Sequence, residues 1–194
     1  MDKSQAGRDS AMHEVSLGGV LTDYLTGEAR NLTTYEDLRQ ALARLLVEEK
    51  GYARQALVPR FSVRYAAGGR EYHREADIAV ISPSGQALLL LLFCPGQVHT
   101  YARELMAMCR LALPSPCPLG VVTDMREAEL VSSASGNVLA RGLAVLPAPF
   151  ELEALAACHA LAPPDAERRD REGRILHAYT GLLKTCCGES CRLP

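Results

Sequence analysis

The sequence predicts an α/β fold in which a mixed central sheet is flanked by helices, with a helical extension at the C-terminal end. Helical and strand-like hydrophobic patterns follow one another in the order helix, three strands, helix, strand. Residues 86–94 form a run that is apolar on both faces, which is typical of a central strand covered by helices. A length of 194 residues and a hydrophobic content of 48% are enough for one substantial core.

Composition and pattern divide the chain into four segments. Residues 1–12 are polar and predict a disordered leader, and residues 13–149 contain the predicted α/β domain. Two helical patterns separated by a pair of prolines predict a helical extension over residues 150–184. Residues 185–194 form a cysteine-rich tail without periodicity. We expect the last helix to dock either on the domain or on a second copy of it.

An amphipathic helix is predicted over residues 34–50, because apolar residues recur there at helical spacing and Gly51 follows as a stop. Thr33 and Glu36 form a Thr-x-x-Glu capping box at its start, which favours a structural role for Glu36. The stretch that begins at His13 contains several glycine turns and predicts an irregular entry to the domain.

Three strands are predicted at residues 57–65, 73–81 and 86–94. The segments between them have turn chemistry, so the three strands should form an antiparallel meander.

The second half of the domain begins with a helical pattern from Val98 to Ala112. A short strand at 119–124, a small hairpin over 128–140 and a last strand over 142–150 are predicted to follow.

Charge and cysteine usage limit the functional classes. The chain has 21 Lys and Arg against 23 Asp and Glu, a balance that argues against non-specific attraction to nucleic acid. The longest apolar run is too short to span a bilayer and the start lacks an apolar signal sequence, so a cytoplasmic protein without a membrane partner is expected. An odd number of cysteines, seven, predicts reduced thiols or a metal site.

The element order and three sequence stretches carry a resemblance to a known family. These stretches are LTDYLTGE at residues 21–28, the helix sequence at 34–52 and READIAV at 74–80. They resemble the N-terminal nuclease domain of type I restriction enzyme R subunits, which belongs to the PD-(D/E)XK, or restriction-endonuclease-like, superfamily. The resemblance covers residues 21–147 and implies the fold of that superfamily and metal-assisted phosphodiester hydrolysis.

The resemblance also assigns the site. It places Asp77 at the family's metal-binding acid, Glu36 at an assisting helix glutamate, and Leu92 and Cys94 at the two ends of the Glu-x-Lys motif. In the family, carboxylates hold Mg²⁺ while the lysine positions or deprotonates a water molecule. A leucine cannot bind a cation, and a thiol is a soft ligand that Mg²⁺ disfavours. The resemblance therefore implies a degenerate nuclease site and no cofactor.

An alternative keeps the nuclease chemistry with Mg²⁺ or Mn²⁺. Glu104 on the following helix would replace the lost glutamate and Arg103 the lost cation, although the helical pattern places Glu104 at the margin of the site. Gln97 and Tyr101 have the Gln-x-x-x-Tyr spacing of RecB-type nucleases, which is also common by chance.

Asp77 has a simpler interpretation as well. It would then be an ordinary strand acid paired to Arg74 or Arg60.

The tail offers a further hypothesis. Three thiols, Cys186, Cys187 and Cys191, together with His177 would suit zinc or an iron–sulfur cluster, although the spacing matches no familiar zinc finger. An unstructured reduced tail and a redox pair remain open. Three functions follow: a non-catalytic binding or scaffold module for a protein partner or for self-association through the C-terminal helix, a divergent nuclease, and a metal or redox sensor.

Overall fold

The computed structural model describes residues 15–94 and 96–186, and within α4 it describes side chains as far as residue 181. The strands are β1 (Ser16–Thr22), β2 (Ala29–Thr33), β3 (Leu57–Ala67), β4 (Arg70–Ile81), β5 (Ala87–Phe93), β6 (Leu119–Thr123), β7 (Ala128–Ser132) and β8 (Val138–Arg141). The helices are α1 (Glu36–Arg44), α2 (Val98–Leu111), α3 (Pro149–Cys158) and α4 (Ala166–Cys186). A π-helical turn, Leu45–Glu49, extends α1, so the helix predicted over 34–50 is present.

The centre of the molecule is a six-stranded sheet in the order β3-β4-β5-β6-β7-β8. Strands β3, β4 and β5 form the predicted antiparallel meander, and β5 pairs in parallel with β6 after the α2 crossover. The β7–β8 pair confirms the predicted hairpin. This mixed sheet flanked by helices confirms the predicted α/β class.

The two-sided apolar run is explained by a core on each face of the sheet. Leu90 and Leu92 of β5 belong to the core that includes residues of α2 and α4, whereas Leu89 and Leu91 belong to the core that includes residues of α1 and α3. Burial of each such leucine contributes about 1.5–3 kcal/mol. Gly120 of β6 permits the close approach of α2, because a Cβ there would lie 2.7 Å from Leu105 Cδ2.

Two local predictions were wrong. The entry to the domain is not irregular but an antiparallel hairpin, β1–β2, in which a register shift between Ser16 and Gly19 accommodates Gly18 at φ 72°. Residues 142–150 do not form a strand: they form a short 3-10 helix, Leu143–Val145, and the first turn of α3. Pro149 at the first position of α3 has the φ that a helix start requires and needs no hydrogen-bond acceptor.

The last helix docks on the domain, which selects one of the two predicted alternatives. Leu176 is fully buried in the core formed with α2. Tyr179 Oη donates to the Thr100 carbonyl at 2.9 Å. Glu172, almost completely buried, accepts from Arg110 at 2.9 Å and forms an ion pair with Arg103 at 2.8 Å. These contacts extend over about two turns of α4 and almost three turns of α2.

Among the described residues, no helix is both long enough and apolar enough to cross a membrane.

Candidate functional site

The candidate site lies where β4 and β5 separate. The backbone pairing of the two strands ends at Ile78, opposite Leu91. Beyond this point the side chain of Asp77 binds the backbone of β5. Asp77 Oδ2 accepts the backbone N–H of Phe93 at 2.7 Å. Asp77 Oδ1 accepts from Arg39 Nε of α1 at 2.6 Å. The side chain of Asp77 is only 11% exposed, so both contacts are shielded from bulk water.

Arg39 also binds the second carboxylate of the site. Its NH1 donates to Glu36 Oε2 at 3.1 Å, one helical turn earlier on α1. The Glu36 side chain is 1% exposed, and its other oxygen, Oε1, accepts from Gln40 Nε2 at 2.9 Å. A single guanidinium therefore bridges Glu36 and Asp77, the assisting glutamate and the metal-binding acid in the site that the resemblance implies.

A second cation, Arg60, comes from β3. Its guanidinium donates to Glu36 Oε2, the oxygen that Arg39 also contacts. The β3–β4 ladder pairs Pro59 with Ile78 and Phe61 with Ala76, and Arg60 between them has φ 53°. A non-glycine residue with positive φ costs about 1–3 kcal/mol, so the backbone is strained at the point that brings this cation to Glu36.

Asp23, in the turn between β1 and β2, completes the cluster. Its Oδ2 accepts from Gln40 Nε2 at 3.2 Å, and its Oδ1 accepts the N–H groups of Leu25 and Thr26 at 2.9 Å each. Burial acts to raise the pKa of Asp23, but these backbone hydrogen bonds outweigh it, so the pKa lies below its ordinary value. Gln40 thus links Asp23 to Glu36.

The sequence comparison identifies the family. The family described as the type I restriction enzyme R protein N terminus matches residues 34–147, more than half of the chain. The chain belongs to this family. The predicted resemblance is thereby confirmed, and the mixed sheet with flanking helices agrees with the restriction-endonuclease-like fold class expected from it.

Other comparisons add little to the R-protein N-terminal assignment. No curated protein matches the chain. A crystal structure of the type IIG restriction endonuclease BpuSI is similar over 78% of this chain and 16% of that chain, with 13% sequence identity and a TM-score of 0.38.

In this member of the R-protein N-terminal family, the two residues that the resemblance places at the Glu-x-Lys motif lie in the apolar core. Leu92 is 2% exposed, and Cys94 is fully buried. Burial, with smaller contributions from Asp124, Asp77 and Glu104, raises the pKa of the Cys94 thiol to about 12. Neither side chain supplies a charge or a hard ligand at neutral pH.

Glu104 does not lie at the margin, as the helical pattern predicted, but is fully buried. Its Oε1 accepts from Arg74 Nε at 2.7 Å, while Oε2 has no hydrogen-bond partner within the described part of the chain. Burial acts against the Arg74 cation, but Glu104 and then Asp77 outweigh burial, so the pKa of Arg74 is raised. Arg74 therefore lies near both acids. The prediction was wrong because a helical pattern of apolar residues takes no account of charged ones. A glutamate that is paired with an arginine can occupy an inward position.

The remaining candidates on α2 do not converge on the acids. Arg103, the proposed replacement cation, is paired with Glu172 of α4. Gln97 is exposed and immediately precedes α2. Tyr101 is half-buried, and its pKa is raised by burial and by the neighbouring Cys94 and Glu104.

The family implies a divalent metal ion at this site, but the donor set does not fit one. Arg39 occupies the space between Glu36 and Asp77, and Leu92 offers no ligand. Within residues 15–94 and 96–186, no group of three His, Cys, Asp or Glu side chains is arranged to hold a metal ion. The arrangement is instead a closed ion-pair network.

Most of the candidate metal ligands in the cysteine-rich tail lie outside the residues that the structure describes. Cys187 and Cys191 lie outside the described residues, as does the side chain of Cys186. His177 is exposed, and its ring lies 4.7 Å from that of Tyr72. Along α4, His177 and Cys186 are about 13 Å apart at 1.5 Å per residue.

Sequence reasoning missed the residues that define the cluster. Asp77 pairs with Arg39, not with Arg74 or Arg60 as its simpler interpretation suggested. Arg39 and Gln40 lie three and four positions after Glu36, the spacing at which helical side chains meet. That spacing was a usable signal that polar side chains gather around Glu36, but it did not indicate a contact with Asp77.

Proposed function

We propose that this chain is a non-hydrolysing member of its family that acts in the cytoplasm as a binding module. In this proposal, its PD-(D/E)XK site is degenerate, and Arg39 holds the place and the charge of the metal ion. The observation that carries the proposal is the bridging of Glu36 and Asp77 by one guanidinium.

The chemistry of arginine supports the loss of hydrolysis. A bound divalent ion polarises the phosphoryl oxygen and lowers the pKa of a bound water molecule. A guanidinium can neutralise the two carboxylates, but it stays protonated and cannot bind water as a Lewis acid. With leucine and a protonated thiol at the motif positions, the described cluster contains no group that could activate water.

Burial supports the permanence of this arrangement. The side chains of Arg39 and Glu36 are 9% and 1% exposed, and Arg60 and Gln40 make further contacts with the same carboxylate. A metal ion would have to displace the Arg39 guanidinium, which already donates hydrogen bonds to Asp77 and Glu36. Leaving a charge buried without its partner costs about 3–5 kcal/mol, which disfavours the exchange.

A protein partner is the proposed target of the module. The β1–β2 hairpin supports this, because Leu17 and Val20 are 52% and 69% exposed although both are large and apolar. Self-association through α4 has less support, since one side of that helix is already buried on the domain.

One observation favours a divergent nuclease as a second candidate. Glu104 is fully buried, and its Oε2 has no hydrogen-bond partner within the described residues. A carboxylate oxygen in that state is one that a cation would satisfy. Under this candidate Asp77 and Glu36, together with Glu104 in place of the lost glutamate, would hold Mg²⁺ or Mn²⁺.

A calorimetric titration with Mn²⁺ separates the two candidates. Wild type, Asp77→Ala and the matched control Glu75→Ala, an exposed acid on the same strand, are compared. The proposed function expects no binding that depends on Asp77, and no cleavage of supercoiled plasmid. Binding lost in Asp77→Ala but kept in Glu75→Ala, together with metal-dependent cleavage, would overturn it.

A further inference from the structure

A surface pocket beside the β1–β2 turn contains two arginines without acidic partners. The pocket has a volume of about 430 Å³ and is bounded by the turn that starts at Asp23 and by Arg44 and Arg54. Both arginines are exposed, and neither forms an ion pair with any residue that the structure describes. This distinguishes them from Arg39 and Arg74, whose charges are neutralised by carboxylates.

An aromatic ring holds the two guanidiniums together. The Arg54 guanidinium carbon lies 4.1 Å from the Tyr24 ring centroid, and that of Arg44 lies 5.5 Å from it. The negative face of the ring attracts each guanidinium through a cation–π contact. These contacts orient the guanidiniums but leave their N–H donors available, because the ring face is not a conventional acceptor. Both positive charges are thereby held against the same ring at the pocket wall.

Tyr24 is held through its backbone N–H and through its hydroxyl group. Tyr24 N–H donates to Gln40 Oε1 at 2.7 Å, and Tyr24 Oη donates to Glu48 Oε1 at 3.0 Å. Gln40 in turn contacts Asp23 and Glu36. The platform is therefore built on the buried Asp23–Gln40–Glu36 network, and little ordering is required when a ligand binds.

We propose that this pocket binds a phosphomonoester dianion of a small molecule such as a nucleotide. Two guanidiniums that line one pocket match the charge of a dianionic phosphate, and their forked donors match its oxygens. The volume lies within the range of about 300–1,000 Å³ that is typical of small-molecule sites, so it exceeds the need of a bare phosphate. Leu25 lines the same pocket and offers apolar contact to the remainder of the ligand.

Glu48 gives the proposal an internal check. Its carboxylate is the acid that contacts Tyr24, and it would repel a bound anion. Loss of this charge should therefore strengthen binding, whereas loss of either guanidinium should weaken it. A pocket with a general affinity for any solute would not respond with opposite signs.

This inference does not rest on the proposed loss of hydrolysis. The variants that test it leave Asp77 and Arg39 unchanged, and the Mn²⁺ titration does not report on Arg44 or Arg54. Failure of one proposal therefore leaves the other standing.

The experiment is a calorimetric titration of the full chain with inorganic phosphate, ribose 5-phosphate and adenosine monophosphate. Variants Arg44→Gln and Arg54→Gln are compared with Arg64→Gln, an exposed arginine on β3 away from the pocket. We expect each pocket variant to weaken binding roughly tenfold or more, Arg64→Gln to leave it unchanged, and Glu48→Gln to strengthen it. Circular dichroism checks that each variant is folded.

The three ligands identify the source of the phosphate. Tighter binding of adenosine monophosphate than of ribose 5-phosphate supports a nucleotide, and equal binding of these two supports a sugar phosphate. Binding of inorganic phosphate alone would overturn the small-molecule ligand. Absence of binding of all three at about 10 mM, or an equal loss in Arg64→Gln, would overturn the site.

Discussion

Arg39 Nε lies 2.6 Å from Asp77 Oδ1, and the same guanidinium reaches Glu36 through NH1. One side chain of α1 therefore connects the helix to the point where β4 leaves β5. Because Asp77 also accepts the Phe93 N–H, the contact orients the strand end as well as neutralising it. Under the proposed function, this internal salt bridge takes the place of a metal ion.

The first prediction concerns the removal of this cation. Arg39→Ala leaves Glu36 and Asp77 in a poorly hydrated site without their bridging partner, so we expect a loss of about 3–5 kcal/mol in the free energy of unfolding. Arg39→Lys should lose less, because an ammonium keeps the charge but cannot form the same two directed contacts. Urea denaturation measures both.

The matched control is Arg64→Ala, which removes an exposed arginine and should change the free energy of unfolding by at most about 0.5 kcal/mol. If Arg39→Ala proved as mild as Arg64→Ala, the bridging contact would not hold the site together. Addition of Mn²⁺ to folded Arg39→Ala should raise its melting temperature, because the two acids are then free to bind a cation.

The second prediction concerns Leu92, which the resemblance places at the glutamate of the Glu-x-Lys motif. Leu92→Glu places a carboxylate in the apolar core between β5 and α2, where Leu92 is 2% exposed. We expect a loss of several kcal/mol or a strongly raised pKa of the new acid, and no gain of Mn²⁺ binding. Leu17→Glu on the exposed β1 strand is the control and should be nearly neutral. Metal-dependent stabilisation of Leu92→Glu would show instead that the old site can still assemble.

Local pattern predicted most of the fold but little of the site. The apolar run of β5 and the apolar stripe of α1 each consist of several apolar residues. A single polar residue within either pattern therefore does not hide the strand or the helix. The β1–β2 hairpin was missed because two consecutive glycines, Gly18 and Gly19, are typical of a turn. Here a bulge accommodates both of them within β1. The Arg39–Asp77 contact joins residues 38 positions apart, and no local periodicity contains that information.

The third prediction concerns acid stability. The pKa of Asp23 is lowered below its ordinary value of 3.8, so its carboxylate stabilises the folded state above that value. This contribution is lost as the pH falls through the still lower folded-state pKa. Asp23→Asn removes the charge and should be less stable than wild type at neutral pH, with a difference that shrinks below about pH 4. Chemical denaturation at a series of pH values measures the difference. A constant difference across the series would mean that the charge of Asp23 has no role.

The fourth prediction concerns the thiols. Cys94 has a pKa of about 12, and burial raises that of Cys109 well above its ordinary value. Since the thiolate is the reactive form, both should resist iodoacetamide at pH 8 to 9 in the folded protein. Cys158 is exposed and serves as the reactive control in the same sample. Peptide mass spectrometry with and without denaturant distinguishes them, and rapid native labelling of Cys94 would contradict its burial.

The fifth prediction concerns the docking of α4. Gly173 packs against β3, and a Cβ at this position would lie 2.2 Å from the Ala66 carbonyl oxygen. Gly173→Ala must therefore displace the helix from the sheet, which also pulls Glu172 away from Arg103 and Arg110. We expect a loss of stability, at about 2–4 °C in melting temperature for each kcal/mol.

Gly181 on the same helix provides the matched control. A Cβ at this position would have no heavy atom of the described residues within 4 Å. Alanine is favoured over glycine inside a helix by about 0.5–1 kcal/mol, so Gly181→Ala should be neutral or stabilising. The opposite signs of the two substitutions isolate packing from helix propensity, since both make the same chemical change in the same element. Equal effects would mean that α4 is not held against Ala66 in solution.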